Sequence, residues 1–104
     1  MRELSEGEGV GEAVSSAPLV VVEYGSSTCA PCAALHGRIE RWEREHPGVL
    51  ALYVPLELHM EEAAQAGIMG GPTVEVWAHG KLALRESGYF SLDLLLTRAE
   101  RWLG

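Results

Sequence analysis

Two cysteines offer the clearest chemistry in this sequence. Cys29 and Cys32 are the only cysteines among the 104 residues, and two residues stand between them. On the first turn of a helix this spacing brings the two sulfur atoms within bonding distance, so they can form and break a local disulfide. A small disulfide-rich protein needs bridges between distant segments, so the pair does not fit that class. The spacing predicts thiol–disulfide exchange.

The place of the pair along the chain predicts different roles for the two sulfurs. Cys29 follows a turn-rich loop at residues 24–28 and stands directly before a helix. A helix start presents unpaired N–H groups and the positive end of the dipole, and both stabilise a thiolate. We therefore expect Cys29 to be the exposed nucleophile and Cys32, one turn inward, to be the sheltered resolving thiol. Pro31 is tolerated in a first helical turn and stiffens it.

The strands that position the cysteines are visible in the hydropathy pattern. Continuous apolar runs are typical of strands buried on both faces, whereas alternation is typical of a hairpin. Two runs of the first kind and two of the second predict strands at residues 19–22, 49–54, 73–77 and 81–85. His79 and Gly80 stand between the last two strands, where a tight turn is expected.

Helices are expected between these strands and at the end of the chain. The first follows Cys29 and stops at Pro47, which cannot continue a helix. A second covers residues 58–67, and the last begins at the N-cap Ser91 with an apolar stripe that runs to Leu103. The order strand, helix, strand, helix, strand, strand, helix predicts an α/β fold. Its mixed sheet has a parallel βαβ half and an antiparallel ββα half, flanked by helices.

Charge and composition exclude several classes of partner. Fifteen acidic residues against eight basic ones give a net charge of −7, which repels nucleic acid and anionic membranes. No apolar run approaches the roughly 20 residues of a membrane span. Residues 1–17 are acidic and Gly-rich and predict a solvated tail or short helix, and residues 18–104 form the domain. This segment lacks the apolar core of a secretory signal. We expect a cytoplasmic monomer.

Several segments together resemble the thioredoxin family. The resemblance extends over about residues 19–103 and rests on the CxxC after the first core strand, Gly70-Gly71-Pro72-Thr73, His79-Gly80-Lys81, and Gly88 before the last helix. It implies a thioredoxin fold, dithiol–disulfide exchange, and a cis peptide bond at Pro72 that faces the cysteines. Such a bond exposes backbone groups to a bound polypeptide. The substrate-binding residues are then Ala30, Pro31, Gly71 and Pro72, where the family usually has a larger residue at position 71.

Glu23 is the third candidate for the catalytic site. It ends an apolar run six residues before Cys29 and is similar in position to the buried acid of the family. A carboxyl desolvated beneath the disulfide has a raised pKa and can exchange a proton with Cys32. The other interpretation is a partly exposed carboxylate at the end of a strand. Tyr53 replaces the family's lysine on the next core strand, so we expect its phenol, rather than a cation, to contact Glu23.

The function predicted from these residues is a thiol–disulfide oxidoreductase that reduces protein disulfides. It needs no cofactor besides the Cys29–Cys32 disulfide, but it needs an upstream reductase or dithiol donor. No histidine stands between the cysteines, which favours a reductant over an oxidant.

Three alternatives stay open at this stage. A glutaredoxin-like enzyme is the nearest, but it would need a basic groove and a Gly-Gly kink after the third core strand. A second is a binding module of the same fold that docks peptides or metal and has little redox turnover. A zinc site would use Cys29, Cys32 and His36 with His59 as fourth ligand, but a second close pair of ligands is missing.

Overall fold

A five-stranded mixed sheet runs through the middle of the structure, a computed structural model that describes residues 1–103. The strands are β1 (Arg2–Glu3), β2 (Leu19–Gly25), β3 (Val49–Pro55), β4 (Thr73–Ala78) and β5 (Lys81–Ser87). The helices are α1 (Val10–Val14), α2 (Ala30–Glu45), α3 (Met60–Gln65) and α4 (Leu92–Ala99), with 3₁₀ turns at Leu56–Leu58 and Glu100–Trp102. The strand order is β1-β3-β2-β4-β5.

The pairing of the strands confirms the predicted fold class. β1, β3 and β2 run parallel to one another, β4 pairs antiparallel with β2, and β5 pairs antiparallel with β4. Helix α2 connects the parallel strands β2 and β3, as a βαβ crossover requires. The first half of the chain therefore forms the parallel part of the sheet, and the second half the antiparallel part.

The core lies on both faces of the sheet, and β2 is at its centre. All seven residues of β2 are buried. On one face Val21 and Val76 pack against α2 and α4, and on the other Val20, Val22 and Leu52 pack against α1 and α3. A central strand covered on both sides needs apolar residues at successive positions, which is why residues 19–22 form a continuous apolar run.

The first 17 residues pack on the sheet, which differs from a solvated tail. The short helix that the sequence allowed is present as α1, but β1 also extends the sheet beside β3. The Leu4 N–H donates to the Tyr53 carbonyl at 2.8 Å, and Leu4, Val10 and Val14 are buried. These apolar side chains do not recur with the period of a helix or a strand. Their burial therefore could not be predicted from the sequence and is seen only in the structure.

The ends of the other elements follow local signals, with two differences. His79 and Gly80 both have positive φ, 53° and 78°, which closes the β4–β5 hairpin. The Ser91 hydroxyl caps α4 by accepting from Leu94 N–H at 3.1 Å. Helix α3 is shorter than residues 58–67, because Leu56–Leu58 form a separate 3₁₀ turn. Helix α4 ends at Ala99, so the stripe does not reach Leu103, which is exposed.

Within residues 1–103, no helix combines the length and the apolar character needed to cross a bilayer.

Candidate functional site

The two cysteines lie where β2 gives way to α2, and they are joined by a disulfide. Cys29 is the N-cap of α2 in an extended conformation, and Pro31 lies in the first turn. The Cα atoms of Cys29 and Cys32 are 5.3 Å apart. The Cys32 N–H donates to the Cys29 sulfur at 3.2 Å. The backbone donor that the sequence predicted at the helix start is therefore directed at the outer sulfur.

The two sulfurs have different surroundings. Cys32 is only 2% exposed, whereas Cys29 is half-buried. Both border an open groove of about 290 Å³, which is lined by Ser26, Ser27, Cys29, Cys32, Ala33, His36 and Tyr53. A partner can therefore approach the disulfide from the Cys29 side, while the Cys32 side is enclosed by the protein.

Two glycines enclose Cys32, and neither position has room for a side chain. A Cβ atom on Gly71 would lie 2.9 Å from the Cys32 sulfur and 3.1 Å from the Tyr24 carbonyl oxygen. A Cβ atom on Gly25 would lie 3.0 Å from the same sulfur. These distances are shorter than van der Waals contact, so the glycines let two backbone segments touch the inner sulfur directly. The role of Gly25 was not predicted from the sequence.

The peptide bond between Gly71 and Pro72 is cis, as the resemblance implies. The segment is held on both sides, because the Gly88 N–H donates to the Pro72 carbonyl at 3.1 Å and the Thr73 hydroxyl donates to the Gly70 carbonyl at 2.7 Å. Gly71 is exposed beside the disulfide, whereas the Pro72 ring is buried.

The other two residues expected to bind substrate, Ala30 and Pro31, are exposed on the first turn of α2. Met69 and Tyr89 were not singled out in the sequence, yet both side chains are almost completely exposed. Met69 stands two residues before Gly71, and Tyr89 follows Gly88, which is bonded to Pro72. The Gly71–Pro72 segment therefore has exposed apolar side chains close to it on the surface.

Glu23 is completely buried beneath the disulfide. Gly25, which touches Cys32, is on the same face of β2 as Glu23, because side chains two residues apart share a face. The Glu23 side chain is 0% exposed, and both of its oxygens lack a hydrogen-bond partner among the described residues. Burial disfavours the charged form and raises the pKa of Glu23 to about 8. The interpretation as a partly exposed carboxylate is therefore wrong.

The basic side chain within ion-pairing distance of Glu23 is a histidine, and the expected phenol makes no hydrogen bond to it. The His36 Nδ1 atom lies 3.5 Å from Glu23 Oε1. Tyr53 is in register with Glu23 on β3 but gives it no hydrogen bond. The Tyr53 ring instead meets the His36 ring edge-on, with centroids 5.2 Å apart. Burial, and next the Glu23 carboxyl, raise the pKa of Tyr53. The expected contact between Tyr53 and the Glu23 carboxyl is thus replaced by the contact with His36.

Glu57 holds the loop before Cys29, a role that the sequence did not reveal. Its Oε2 atom accepts from both the N–H and the hydroxyl of Ser27, each at 2.9 Å. The backbone N–H of Ser27 is the main reason that the pKa of Glu57 is lowered. The two residues are 30 positions apart, so no local pattern could have connected them.

His59 is not brought to the cysteines. It is buried, and its Nε2 atom lies 3.3 Å from the Leu4 carbonyl, beside the N-terminal segment. It therefore cannot be the fourth ligand of the zinc site considered above. Across residues 1–103, no three His, Cys, Asp or Glu side chains are arranged to hold a metal ion.

Similarity to known proteins agrees with this geometry. The family model described as Thioredoxin matches residues 6–100, which is most of the chain. No curated protein sequence matches the chain significantly.

Solved structures of thioredoxins superpose closely on the chain. A mutant thioredoxin from Halobacterium salinarum NRC-1 is 20% identical with a TM-score of 0.83, over 99% of this chain and 92% of that chain. The thioredoxin of Fasciola hepatica is 26% identical with a TM-score of 0.78, over 93% and 95% of the two chains. Thioredoxin f from spinach chloroplast is 20% identical with a TM-score of 0.83, over 99% and 93%. With the family match and the CxxC disulfide before α2, the conclusion is that the chain belongs to the thioredoxin family.

Proposed function

We propose that this chain reduces disulfide bonds in other proteins, with Cys29 as the attacking thiol and Cys32 as the resolving thiol. The observation that carries the proposal is the inequality of the two sulfurs. Cys29 is partly exposed at the open groove, whereas Cys32, which borders the same groove, is only 2% exposed and lies above a carboxyl group that accepts no hydrogen bond. One sulfur can therefore meet a partner while the other meets only the first sulfur and an internal base.

The first step is attack by the Cys29 thiolate on a disulfide of the partner. A bond forms between the Cys29 sulfur and one partner sulfur, and the second partner sulfur leaves as a thiolate. The helix start stabilises the attacking thiolate through its dipole and through the Cys32 N–H, which is already directed at the Cys29 sulfur.

The second step releases the partner. Cys32 gives its proton to the Glu23 carboxylate, and the resulting thiolate attacks the Cys29 sulfur. The Cys29–Cys32 disulfide forms, the mixed disulfide breaks, and the partner leaves with both sulfurs reduced. Two electrons have then passed from the dithiol to the partner. The burial of Cys32 supports this order, because a bulky partner cannot reach it first.

The exposed surface around Cys29 supports an extended polypeptide as the partner. Gly71 presents its backbone beside the disulfide, where an extended chain can form main-chain hydrogen bonds. Ala30 and Pro31 border the outer sulfur with small, uncharged side chains, and Met69 and Tyr89 offer apolar contact.

The reaction consumes the dithiol, so an upstream reductase or dithiol donor must restore it. We propose that the protein acts in the cytoplasm, because a reducing compartment keeps such a pair in its active dithiol form. We propose also that it acts as a monomer. No further redox group enters the proposal.

Reduction of insulin in the presence of dithiothreitol tests this function. We expect the wild-type protein to accelerate precipitation of the insulin B chain and Cys29→Ser to abolish the acceleration. Ala34→Ser is the matched control, because Ala34 is an exposed residue of the same helix. Equal turnover in wild type and Cys29→Ser would contradict the proposal and favour a binding module.

A second experiment tests the order of the two steps. We expect Cys32→Ser to accumulate a mixed disulfide between Cys29 and insulin, visible on a non-reducing gel and removed by dithiothreitol. If Cys29→Ser accumulated the mixed disulfide and Cys32→Ser did not, the roles would be reversed.

A further inference from the structure

His36 connects the buried carboxyl of Glu23 to the groove beside the disulfide. It stands four residues after Cys32, one helical turn further along α2. Its Nδ1 atom lies 3.5 Å from Glu23 Oε1, and its side chain is 38% exposed. The same side chain lines the groove together with Cys29. It therefore contacts the internal base on one side and solvent on the other.

Neither strand beside β2 gives Glu23 a hydrogen bond. Val74 is in register with it on β4, and Tyr53 on β3 makes no hydrogen bond to it. Among residues 1–103, His36 is the only basic side chain within ion-pairing distance of the carboxyl. A protonated carboxyl cannot accept the proton of Cys32, so the proton on Glu23 must leave before each resolving step.

We propose that His36 is a positioning residue that acts through Glu23 and relays the proton taken from Cys32 to water in the groove. The inference rests on the proposed function and names how its internal base is recycled. The Tyr53 ring supports it, because the edge-on contact at 5.2 Å holds the imidazole beside the carboxyl.

The relay involves only proton transfers. The protonated carboxyl of Glu23 gives its proton to the unprotonated Nδ1 of His36, which restores the carboxylate and forms an imidazolium ion. The imidazolium then loses a proton to water or buffer in the groove and becomes neutral again. No electron moves in these steps, so the redox balance of the disulfide exchange is unchanged.

Few other charged groups face this pair. Glu3 of β1 is in register with Tyr53, on the side of the phenol away from Glu23. Glu57 is bonded to Ser27 across the groove.

On α2 itself, Glu40 is one turn beyond His36 and is paired with the amino group of Met1 at 3.8 Å. The phenol of Tyr53 and the two thiols of Cys29 and Cys32 are the other titratable groups that line this place, and β4 contributes the apolar Val74 in register with Glu23. Any pH dependence that requires both His36 and Glu23 is therefore assigned to this pair.

The experiment measures the resolving step alone, as the decay of a preformed mixed disulfide between pH 5.5 and 9 in stopped flow. We expect His36→Ala to slow this decay by about tenfold, which is less than the roughly 100-fold effect of removing the base itself, because His36 acts only through that base. Imidazole in the buffer should restore the rate, because the vacated space opens to the groove. Mixed-disulfide formation by Cys29, measured in a Cys32→Ser background, should be unchanged.

Two further variants separate a relay from a structural role. The effect of His36→Ala should vanish in a Glu23→Gln background, because the relay has then lost its donor. His36→Gln keeps the size and polarity of the side chain but should be as slow as His36→Ala. His79→Asn is the matched control, since that exposed histidine lies in the β4–β5 turn, at the other end of the sheet.

Several results would overturn the inference. One is an unchanged decay rate and pH profile in both His36 variants. Another is no rescue of His36→Ala by imidazole. A third is an equal loss of decay rate from His36→Ala in the wild-type and Glu23→Gln backgrounds. If the wild-type protein fails to reduce insulin, the proposed function itself is wrong. If it reduces insulin and the His36 variants resolve normally, only the relay is wrong.

Discussion

A buried carboxyl group that accepts no hydrogen bond is unusual inside a protein, because burial of an unsatisfied polar group is unfavourable. Glu23 is held in this state by β2, whose seven residues are all buried. The carboxyl of Glu23 is therefore protonated at neutral pH, and its carboxylate form becomes available at slightly higher pH. In the proposed mechanism this carboxyl is the internal base.

Replacing Glu23 with glutamine should remove the internal base. In the wild-type protein the resolving step should accelerate as pH rises through about 8, the value to which burial raises the pKa of Glu23, because only the carboxylate accepts a proton. Glu23→Gln should lower that rate by about 100-fold and abolish the inflection. Decay of the mixed disulfide between pH 6 and 10 measures both effects, and an unaltered profile would contradict the role.

Position 71 should not tolerate a side chain, whereas the neighbouring position 70 should tolerate one. Gly71→Ala places a Cβ atom 2.9 Å from the Cys32 sulfur, and the backbone of Tyr24 prevents it from moving away. We expect the free energy of unfolding of the oxidised protein to fall by about 1–3 kcal/mol, as overpacking generally costs. Gly70→Ala is the control, because a Cβ atom there meets nothing within 4 Å. Equal urea midpoints for the two variants would show that the site relaxes.

Met69 and Tyr89 should matter only for large partners. Met69 is 97% exposed and Tyr89 is fully exposed beside the Pro72 segment, where a polypeptide would cover them. We expect the double variant Met69→Ser/Tyr89→Ser to raise KM for insulin several-fold and to leave reduction of a small aromatic disulfide unchanged. The comparison is informative because a small disulfide touches only the cysteines. A parallel loss with both substrates would indicate a structural defect instead.

At the scale of elements, α2 contains a glycine that nothing requires. Gly37 is inside the helix, and a Cβ atom there meets no other atom within 4 Å. Gly37→Ala should stabilise the protein by about 0.5–1 kcal/mol through helix propensity. Gly80→Ala should have the opposite effect, because φ is +78° and the added atom would lie 3.3 Å from the Ser15 hydroxyl. Urea unfolding measures both, and a destabilised Gly37→Ala protein would contradict the prediction.

The elements most visible in the sequence are those with strong local signals. The apolar run of β2, the Pro47 stop of α2 and the Ser91 cap of α4 all predict boundaries close to those observed. Helix α3 is less regular than expected, since its N-cap residue His59 makes no side-chain cap. A helix without a cap signal has no marked start, so its first residues cannot be placed from sequence alone.

What the sequence could not show are contacts between distant elements. Two residues are enough for β1 because they only extend an existing sheet, yet two residues carry no detectable period. The contact of His36 with Glu23 joins a helix to a strand, and the sequence suggested for position 36 only a metal ligand. The pair Glu57 and Ser27 is hidden for the same reason.

At the scale of the whole molecule, the reactive groups all lie at one end of the sheet. The parallel half places the cysteines after β2, and the antiparallel half brings Pro72 to the same end, just before β4 begins. The His79-Gly80 turn is at the opposite end, where β4 and β5 meet. The cysteines and Pro72 therefore lie at the end of the sheet opposite the tight β4–β5 turn.

Global stability should depend on pH through Glu23. Its pKa is about 8 in the folded protein against an ordinary value of 4.5, so the folded state keeps a proton that the unfolded state has lost. Its contribution is thus fully present below about 4.5, declines as pH rises and is lost above about 8. Relative to Glu23→Gln, wild-type protein should lose on the order of a few kcal/mol between pH 5 and 9. A constant difference between the two urea unfolding curves would refute this.

The close approach of Gly25 and Gly71 to Cys32 also determines how the reduced protein responds to alkylating reagents. The backbone of two segments covers the inner sulfur, whereas the outer sulfur borders the open groove. We therefore expect a bulky electrophile to react only with Cys29, although the reduced protein has two thiols. One equivalent of label should therefore inactivate the protein by modifying Cys29, because Cys32 is only 2% exposed and backbone covers it on two sides.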